Sequence, residues 1–511
     1  MHYRLIHIFR ILLLSAWCIP LLMACSFVAE GEEPDNHSKS ADQMSTYINL
    51  TVTVTGGKQD FTRAGEIPAA GENGDGREAG FLHENVVTGI TLILYQDGTD
   101  EKNINTSDNP TLDYIKYYPV TRTGTPLDAD GSDLGKTKID ETFYTTGNQL
   151  VQKGTLDMTK KYHAIIVANA DLRGRVSSLN DVRAYTLSTL YSGDEKTVSK
   201  NCVNFVMSSE EDHVFDFPGA TPITITGGML YSFSNIRIER MAARIDFWAA
   251  GATYNATAKG YEYSAGPTDK FVVTGLMPFN LMGANSTNGG EYLIKRVAAS
   301  PTATTFNYLG DEGSNYVIDP AITVKTSSGE LTYYKNKVLD FGTLDGHASY
   351  TDNGYYRSIE TLHSAIATSP ASGGYATLTD GTLSGEDVVI CYPMENTLQT
   401  SSYLYSFATG VVIEGDYYKG GFSGTKTHRI YYGYLRHEGT ATSYQARLGA
   451  AFELDKNSAV PPASPMEYGI VRNNIYRVYI SSITPDEENP KVTLNIKVKK
   501  WDKFVHETIY M

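Results

Sequence analysis

The sequence has few of the residues that staple, span or bind nucleic acid. Four cysteines in 511 residues exclude a disulfide framework, and no CxxC pair is present for zinc or thiol chemistry. Forty-three basic residues stand against 58 acidic ones, a formal balance of −15. There is no basic stripe, which excludes a nucleic-acid partner. The longest apolar run, Ile11–Met23, falls short of the ~20 residues of a comfortable membrane span. No repeat of 20–50 residues is visible, so solenoids and propellers lack support. What the chain does have is tyrosine (36), glycine (46) and much threonine and serine, with 41% hydrophobic residues. That mixture favours strands joined by small-residue turns. The length suits two large domains or three ordinary ones.

The N-terminus reads as an address. Arg4 and Arg10 precede the apolar run, which closes on Leu22-Met23-Ala24-Cys25. This is the order of a secretory signal, and the cysteine after Ala24 matches a bacterial lipobox. On that reading residues 1–24 are a lipoprotein signal peptide and Cys25 is acylated; the alternative is an ordinary signal with an incidental cysteine. Two or more acyl chains hold a protein stably to a bilayer, so the exported form is expected to be membrane-anchored. Only Cys202 and Cys391 then remain, and two buried free thiols are favoured over a disulfide.

Residues 26–46 are polar and acidic and read as a tether. In Tyr47–Thr55, Ile48, Leu50, Val52 and Val54 alternate with Asn49, Thr51, Thr53 and Thr55, a strict period of two that marks a half-buried strand. Residues 56–80 follow with seven glycines and with Arg63 and Arg77, a composition expected of an exposed loop open to proteases. Further strands are expected at Val86–Tyr95, Tyr162–Ala170, Cys202–Met207 and Pro222–Thr226; at Tyr231–Trp248 the pattern shifts, Ile236 and Ile238 alternating before a new run of strands, which places a domain boundary near 233–240. Downstream they continue at Val388–Cys391, Ser406–Glu414, Ile430–Leu435, Ile475–Ile483 and Val492–Val498. Short helices are expected over 179–190 (Val182, Leu187, Leu190) and around Ile359, Leu362 and Ile366. The pattern predicts an all-β chain of two tandem β-sandwich domains, Greek-key or transthyretin-like, at 64–235 and 236–511. Residues 25–63 precede them as tether plus first strand.

Chemistry-bearing motifs fail on inspection. Gly135–Thr137 has Asp130 where a phosphate loop needs glycine. Asp128, Asp130 and Asp133 lack the sixth-position glycine and closing glutamate of a calcium loop, Ile139 standing at position twelve. Gly421-Phe422-Ser423-Gly424 is followed by Thr425 rather than completing a nucleophile elbow. The histidines are scattered, and Arg436–Gly439 reads as a strand end. The chain is therefore read as a non-enzyme, with no metal and no cofactor. Val492, Leu494, Ile496 and Val498 repeat the alternation of Ile48, Leu50, Val52 and Val54. One groove could then take either strand in register, as donor-strand complementation requires; the alternative on the residues alone is that both are ordinary core strands of two sandwiches that never exchange.

Several fragments together resemble the type V pilins, the fimbrillins of Bacteroidales-type bacteria. They are Ala164–Ala170, Phe205–Ser209, Arg240-Met241-Ala242-Ala243-Arg244-Ile245-Asp246, Cys391–Thr397, Tyr434–Gly439, Val471–Val478 and Val492–Trp501. The last two are similar to the C-terminal part of minor-fimbrium shaft subunits. The resemblance implies a lipoprotein precursor from which an arginine-specific protease removes the N-terminal segment. Carried onto this chain, the cut falls between Arg63 and Ala64, with Arg77 as the fallback, and Ile48–Thr55 is the displaced strand. The vacated groove then accepts the Val492–Val498 strand of another copy. The implied partners are further copies of the chain in a head-to-tail polymer, accessory anchor and tip subunits, and host or bacterial surface ligands. The implied location is the outer membrane and then an extracellular fimbrium. An anchor or tip subunit, or a glycan-binding surface adhesin suggested by the tyrosines, stands as the alternative.

Overall fold

The computed structural model describes residues 45–54, 77–79, 84, 87–96, 109–119, 143–145, 149–151, 156–193, 202–209, 213–279, 281, 290–294, 297–298, 316–317, 324–325, 331–332, 356–368, 387–396, 408–436, 443–445, 447–448, 469–486 and 490–502. Cys25, Arg63 and Ala64, the aspartate loop at 128–133 and Gly135–Thr137 lie outside these residues.

The described chain is all-β, with two short helices. Its first half is a ten-stranded sheet. The strands are β1 (Ser45–Val54), β3 (Gly89–Tyr95), β4 (Tyr114–Pro119), β5 (Phe143–Thr145), β6 (Gln149–Val151) and β7 (Lys161–Ala168), after β2 (Arg77–Ala79), which belongs elsewhere. They continue with β8 (Met207–Ser209), β9 (His213–Asp216), β10 (Ile223–Ile225) and β11 (Gly228–Arg240). The main path runs β4-β3-β7-β8-β11-β1-β5, with β9 on β7, β10 on β11 and β6 on β1. β3 and β7 are nearly continuous apolar runs, and their side chains are buried on both faces.

Two sheets make the second half. One holds β12 (Arg244–Trp248), β15 (Asp387–Cys391), β18 (Asn474–Thr484) and β19 (Lys491–Asp502) in the order β2-β19-β18-β12-β15. The other is built on β13 (Gly260–Ser264), β14 (Lys270–Phe279), β16 (Gly410–Lys419) and β17 (Thr425–Tyr434). Alternate residues of both sheets, among them Phe247, Val478 and Leu494 from one and Phe271, Ile413 and Tyr431 from the other, form one apolar core. This is the sandwich expected of a period-two sequence.

Three expectations about elements change. Of the strand expected at Cys202–Met207 only Met207 lies in a ladder, Val203 making a single bridge to Ser192. Helix α1 covers Leu179–Ala184 and stops there. Ser178 and Asp181 cap its start, but Thr186–Leu187 leave the helix to pair with Glu291–Tyr292. Leu187 and Leu190 are thus not on the helix. Helix α2, Ile359–Thr368, lies where expected. The expected boundary at 235/236 falls inside β11, because Ile236 and Ile238 still pack in the first core and Ile238–Arg240 pair with β8. The chain changes sheet between Arg240 and Arg244. Gly421–Gly424 is the hairpin turn between β16 and β17, entered through Gly420 and Gly421 at positive φ.

Buried ions hold the halves together. Arg244 donates to Glu84 at 3.1 Å and to Asp246 at 2.9 Å. Tyr392 donates to Glu84 at 2.7 Å, and Arg240 reaches the Glu84 carbonyl and the Asn473 side chain. Arg472 sits between Glu291 (2.7 Å) and Glu395 (2.9 Å) and also donates to Ser208 of β8 and to the Leu293 carbonyl. Asn473 adopts φ 57° and donates its N–H to Ala242, a left-handed conformation that asparagine tolerates better than most residues. Removing one partner of a buried pair costs ~3–5 kcal/mol because the other charge is stranded.

Burial beside Glu395 holds the Glu291 carboxyl well above its usual range, against the opposing pull of Arg472. The folded form therefore holds its proton to higher pH than the unfolded chain does, so stability from this group is present at low pH and lost as pH rises. Glu291→Gln, fixed in the neutral form, should match the wild-type melting temperature near pH 4.5 and exceed it by a growing margin towards pH 8. A margin that shrinks with pH would show that Glu291 is held ionised.

Candidate strand-exchange site

β1 is inserted between neighbours. It runs parallel to β11 over nine register pairs, from Ser45 beside Gly228 to Val54 beside Ile238, with a bulge between Leu50 and Val52. Its other edge is antiparallel to β6 through Thr46–Ile48 and to β5 through Thr51–Thr53. Ile48, Leu50 and Val52 are buried in the first core with Ile236 and Ile238 of β11. Val54 is placed opposite Ile238. The strand contains no charged residue. Its hold on the protein is a double ladder plus an apolar face, and its removal exposes a groove with backbone hydrogen-bonding groups along both walls.

The chain downstream of β1 is pinned separately. Glu84, buried in the ionic cluster with Arg244, Tyr392 and Arg240, anchors the segment that leads into β3. Loss of everything up to Arg63 leaves that anchor intact.

β19 carries the other alternating face. Val492, Leu494, Ile496 and Val498 are buried in the core of the second half. β19 is antiparallel to β18 over ten register pairs. Its outer edge is covered by Ser443–Gln445 and by β2, three pairs each, the latter aligning Arg77 with Lys500. The two alternating ribbons thus occupy different sheets over different cores within one chain. Arg77, the fallback cleavage residue, lies on a strand that is already paired.

Several of the motifs that carry the sequence resemblance meet in space. Arg240, Arg244 and Asp246, then Tyr392 and Glu395, then Arg472, Asn473 and Arg477 all belong to the buried cluster between the halves. Sequence reasoning missed Glu84 and Glu291, single acids in unremarkable contexts whose only signal is three-dimensional. Cys202 and Cys391 are buried free thiols. Among the described residues no cluster of histidine, cysteine or acidic side chains is placed to hold a metal ion, and no helix is long and apolar enough to cross a membrane.

Fold and site together define an all-β protein whose first strand is inserted into a sheet made by later ones. Solved structures similar to it include fimbrial and cell-adhesion proteins of Bacteroidales. One is a putative cell adhesion protein from Parabacteroides distasonis, at 12% identity over 90% of this chain and 100% of that one, TM-score 0.42. Others are a tip fimbrial protein from Porphyromonas gingivalis with a C-terminal truncation (9%, 89% and 99%, TM-score 0.37) and a fimbrilin from the same species (12%, 91% and 100%, TM-score 0.34). No family model and no curated protein sequence matches the chain.

Truncating a fully buried β1 tooth removes contacts and leaves a cavity, at ~2–5 kcal/mol for leucine to alanine. Leu50→Ala should lower the stability of the uncut chain by that amount in a denaturant titration. The same substitution should have no effect once the chain has been cut after Arg63 and the released segment washed away. An equal loss in both forms would mean that β1 does not leave.

Proposed function

We propose that the chain is a structural fimbrial subunit whose first strand is a removable plug, and that the groove under β1 receives the C-terminal strand of another copy. The observation that carries this reading is the placement of β1: N-terminal, charge-free, apolar on one face and laddered on both edges. The precursor is an exported lipoprotein held through Cys25. Cleavage between Arg63 and Ala64 releases tether and plug together, while Glu84 keeps the remaining chain seated. An intramolecular plug competes at an effective concentration of order mM, so guest strands are excluded until the tether is cut. A groove on one copy filled by the tail of the next is a heterologous contact, which grows open fibres rather than closed dimers. The shaft role follows if each copy both accepts and donates.

One observation favours a second reading, a subunit at the end of the fibre. The four teeth of β19 are already seated in the second core, and at ~1.5–3 kcal/mol each their extraction costs roughly 6–12 kcal/mol before any is recovered in a neighbour. A copy that keeps its tail accepts a strand and donates none.

Deleting the tail cannot separate these roles, because the same residues complete the second sandwich. The test supplies the donor separately: chain cut with an arginine-specific protease is mixed with a labelled peptide of residues 491–502. Capture by the cut chain but not the uncut one, together with a ladder of multimers on an unheated denaturing gel, is the expected outcome for a shaft subunit. Capture without a ladder assigns the fibre end. A peptide ignored by the cut chain rules out the exchange.

A further inference from the structure

The groove under β1 has two unlike ends. At one, β11 begins at Gly228 immediately after the turn at Thr226–Gly227, and β10 lies alongside. At the other, β11 closes on Arg240, whose side chain is fully buried against Glu84 and Asn473, and the chain continues through buried Met241–Ala243 into the second half. Among the described residues the first end is bounded only by the β10–β11 hairpin, and the other is blocked by the protein itself.

Strand direction decides which end a neighbour uses. β1 starts at the hairpin end, with Ser45 beside Gly228, and runs towards the blocked one. A guest that keeps both hydrogen-bond ladders, parallel to β11 and antiparallel to β5 and β6, must run the same way, because a reversed guest changes the pattern on both walls. Its N-terminal side therefore emerges at the β10–β11 hairpin. For a tail such as β19 that side leads back to β18 and the second half of the donor, so the donor's body lies against the hairpin.

The surface at that end has the character of a contact. Ile223 on β10 is 59% exposed, and with Phe422, at 48%, it makes up the exposed large hydrophobics among the described residues. It stands opposite Leu230 of β11, which in turn stands beside Tyr47 at the start of β1. Among the described residues β10 pairs with β11 alone, which leaves an outer edge of β-branched Ile223, Thr224 and Ile225. Residues 221–227 carry no charge, in a chain whose formal balance is −15. Two copies with that balance repel at long range, and an uncharged apolar edge is the kind of place where they can touch.

We infer that the β10–β11 hairpin, centred on Ile223, is the docking surface for the second half of the strand-donating copy. The inference rests on the exchange reading above. It commits to a second copy as occupant and fixes the fibre's polarity, with the hairpin end of one copy against the tail-bearing half of the next.

The test uses full-length chain cut after Arg63. Ile223→Glu should leave the melting temperature and capture of the 491–502 peptide unchanged, since the side chain faces solvent and lies outside the groove. The rate of multimer formation should fall at least tenfold. Phe422→Glu, on the remote β16–β17 hairpin, should assemble at the wild-type rate. A photo-crosslinking residue at position 223 should join a second copy through a peptide within residues 474–502. Wild-type assembly by Ile223→Glu, or crosslinks from 223 to the first half of another copy, would overturn this surface while leaving peptide capture, and so the exchange reading, in place. Failure of the cut wild-type chain to capture the peptide would overturn both.

Discussion

Four guanidinium groups buried between the halves are the constraint on which the rest depends. Arg240, Arg244, Arg472 and Arg477 are among the largest fully buried side chains in the protein. Ions removed from water at such cost persist only when each is paired and hydrogen-bonded, and here Glu84, Asp246, Glu291, Glu395, Asn473 and several carbonyls do this. These partners come from distant parts of the sequence, so the cluster forms only when both halves are in place. β1 contributes nothing to it. Its side chains add apolar area and its backbone adds ladder bonds, neither of which any buried ion requires. Loss of β1 would therefore leave these ion pairs whole, with Glu84 still held just ahead of β3.

The two halves make this contrast sharper because they repeat one local arrangement. β1 is parallel to β11 and antiparallel to β5 and β6; β12, the first strand of the second half, is parallel to β18 and antiparallel to β15. The backbone setting is alike, and the side chains differ. β12 carries Arg244 and Asp246 into the ionic cluster, whereas β1 presents isoleucine, leucine and valine. Lifting β12 would strand two charges at several kcal/mol each; lifting β1 exposes hydrocarbon that another alternating strand can cover again. Within the exchange reading, exchangeability is a property of composition placed on a shared topology.

Much of this was legible in the sequence because a period of two is a local signal. Ile48–Val54 and Val492–Val498 read as strands and are strands, and the apolar runs at β3 and β7 fall where their residues indicate. Alternation names a strand's buried face but not the core that face fills. The same four-tooth pattern therefore described a strand of the first sheet and a strand of the second equally well. The helix expected over 179–190 was overdrawn for a related reason: Leu187 and Leu190 fit a helical face, but the backbone at 186–187 is claimed by a pairing with residues a hundred positions later. The arginine-bearing motifs were visible as patterns, and their meeting was not, since Glu84 and Glu291 look like any surface acid until the fold surrounds them. Ile223 was hidden in the opposite way, as an ordinary strand residue that the fold leaves uncovered.

Within the exchange reading, equivalence of the two strands raises a question of driving force. Each carries four aliphatic side chains at alternate positions, so moving a tail from its own core into a neighbour's groove gains little contact energy: what the groove recovers, the second core gives up. Such a near-neutral exchange proceeds only if something else is irreversible. Cleavage supplies that step, because a plug freed from its tether loses its high local concentration and diffuses away, leaving an open groove as the unstable partner. Further stabilisation has to come from surface that the uncut monomer leaves unused. An uncharged edge at the groove's hairpin end offers such surface without loss to either core. The groove then sets the register of the joint, while the contact outside it supplies the net free energy that holds one subunit to the next.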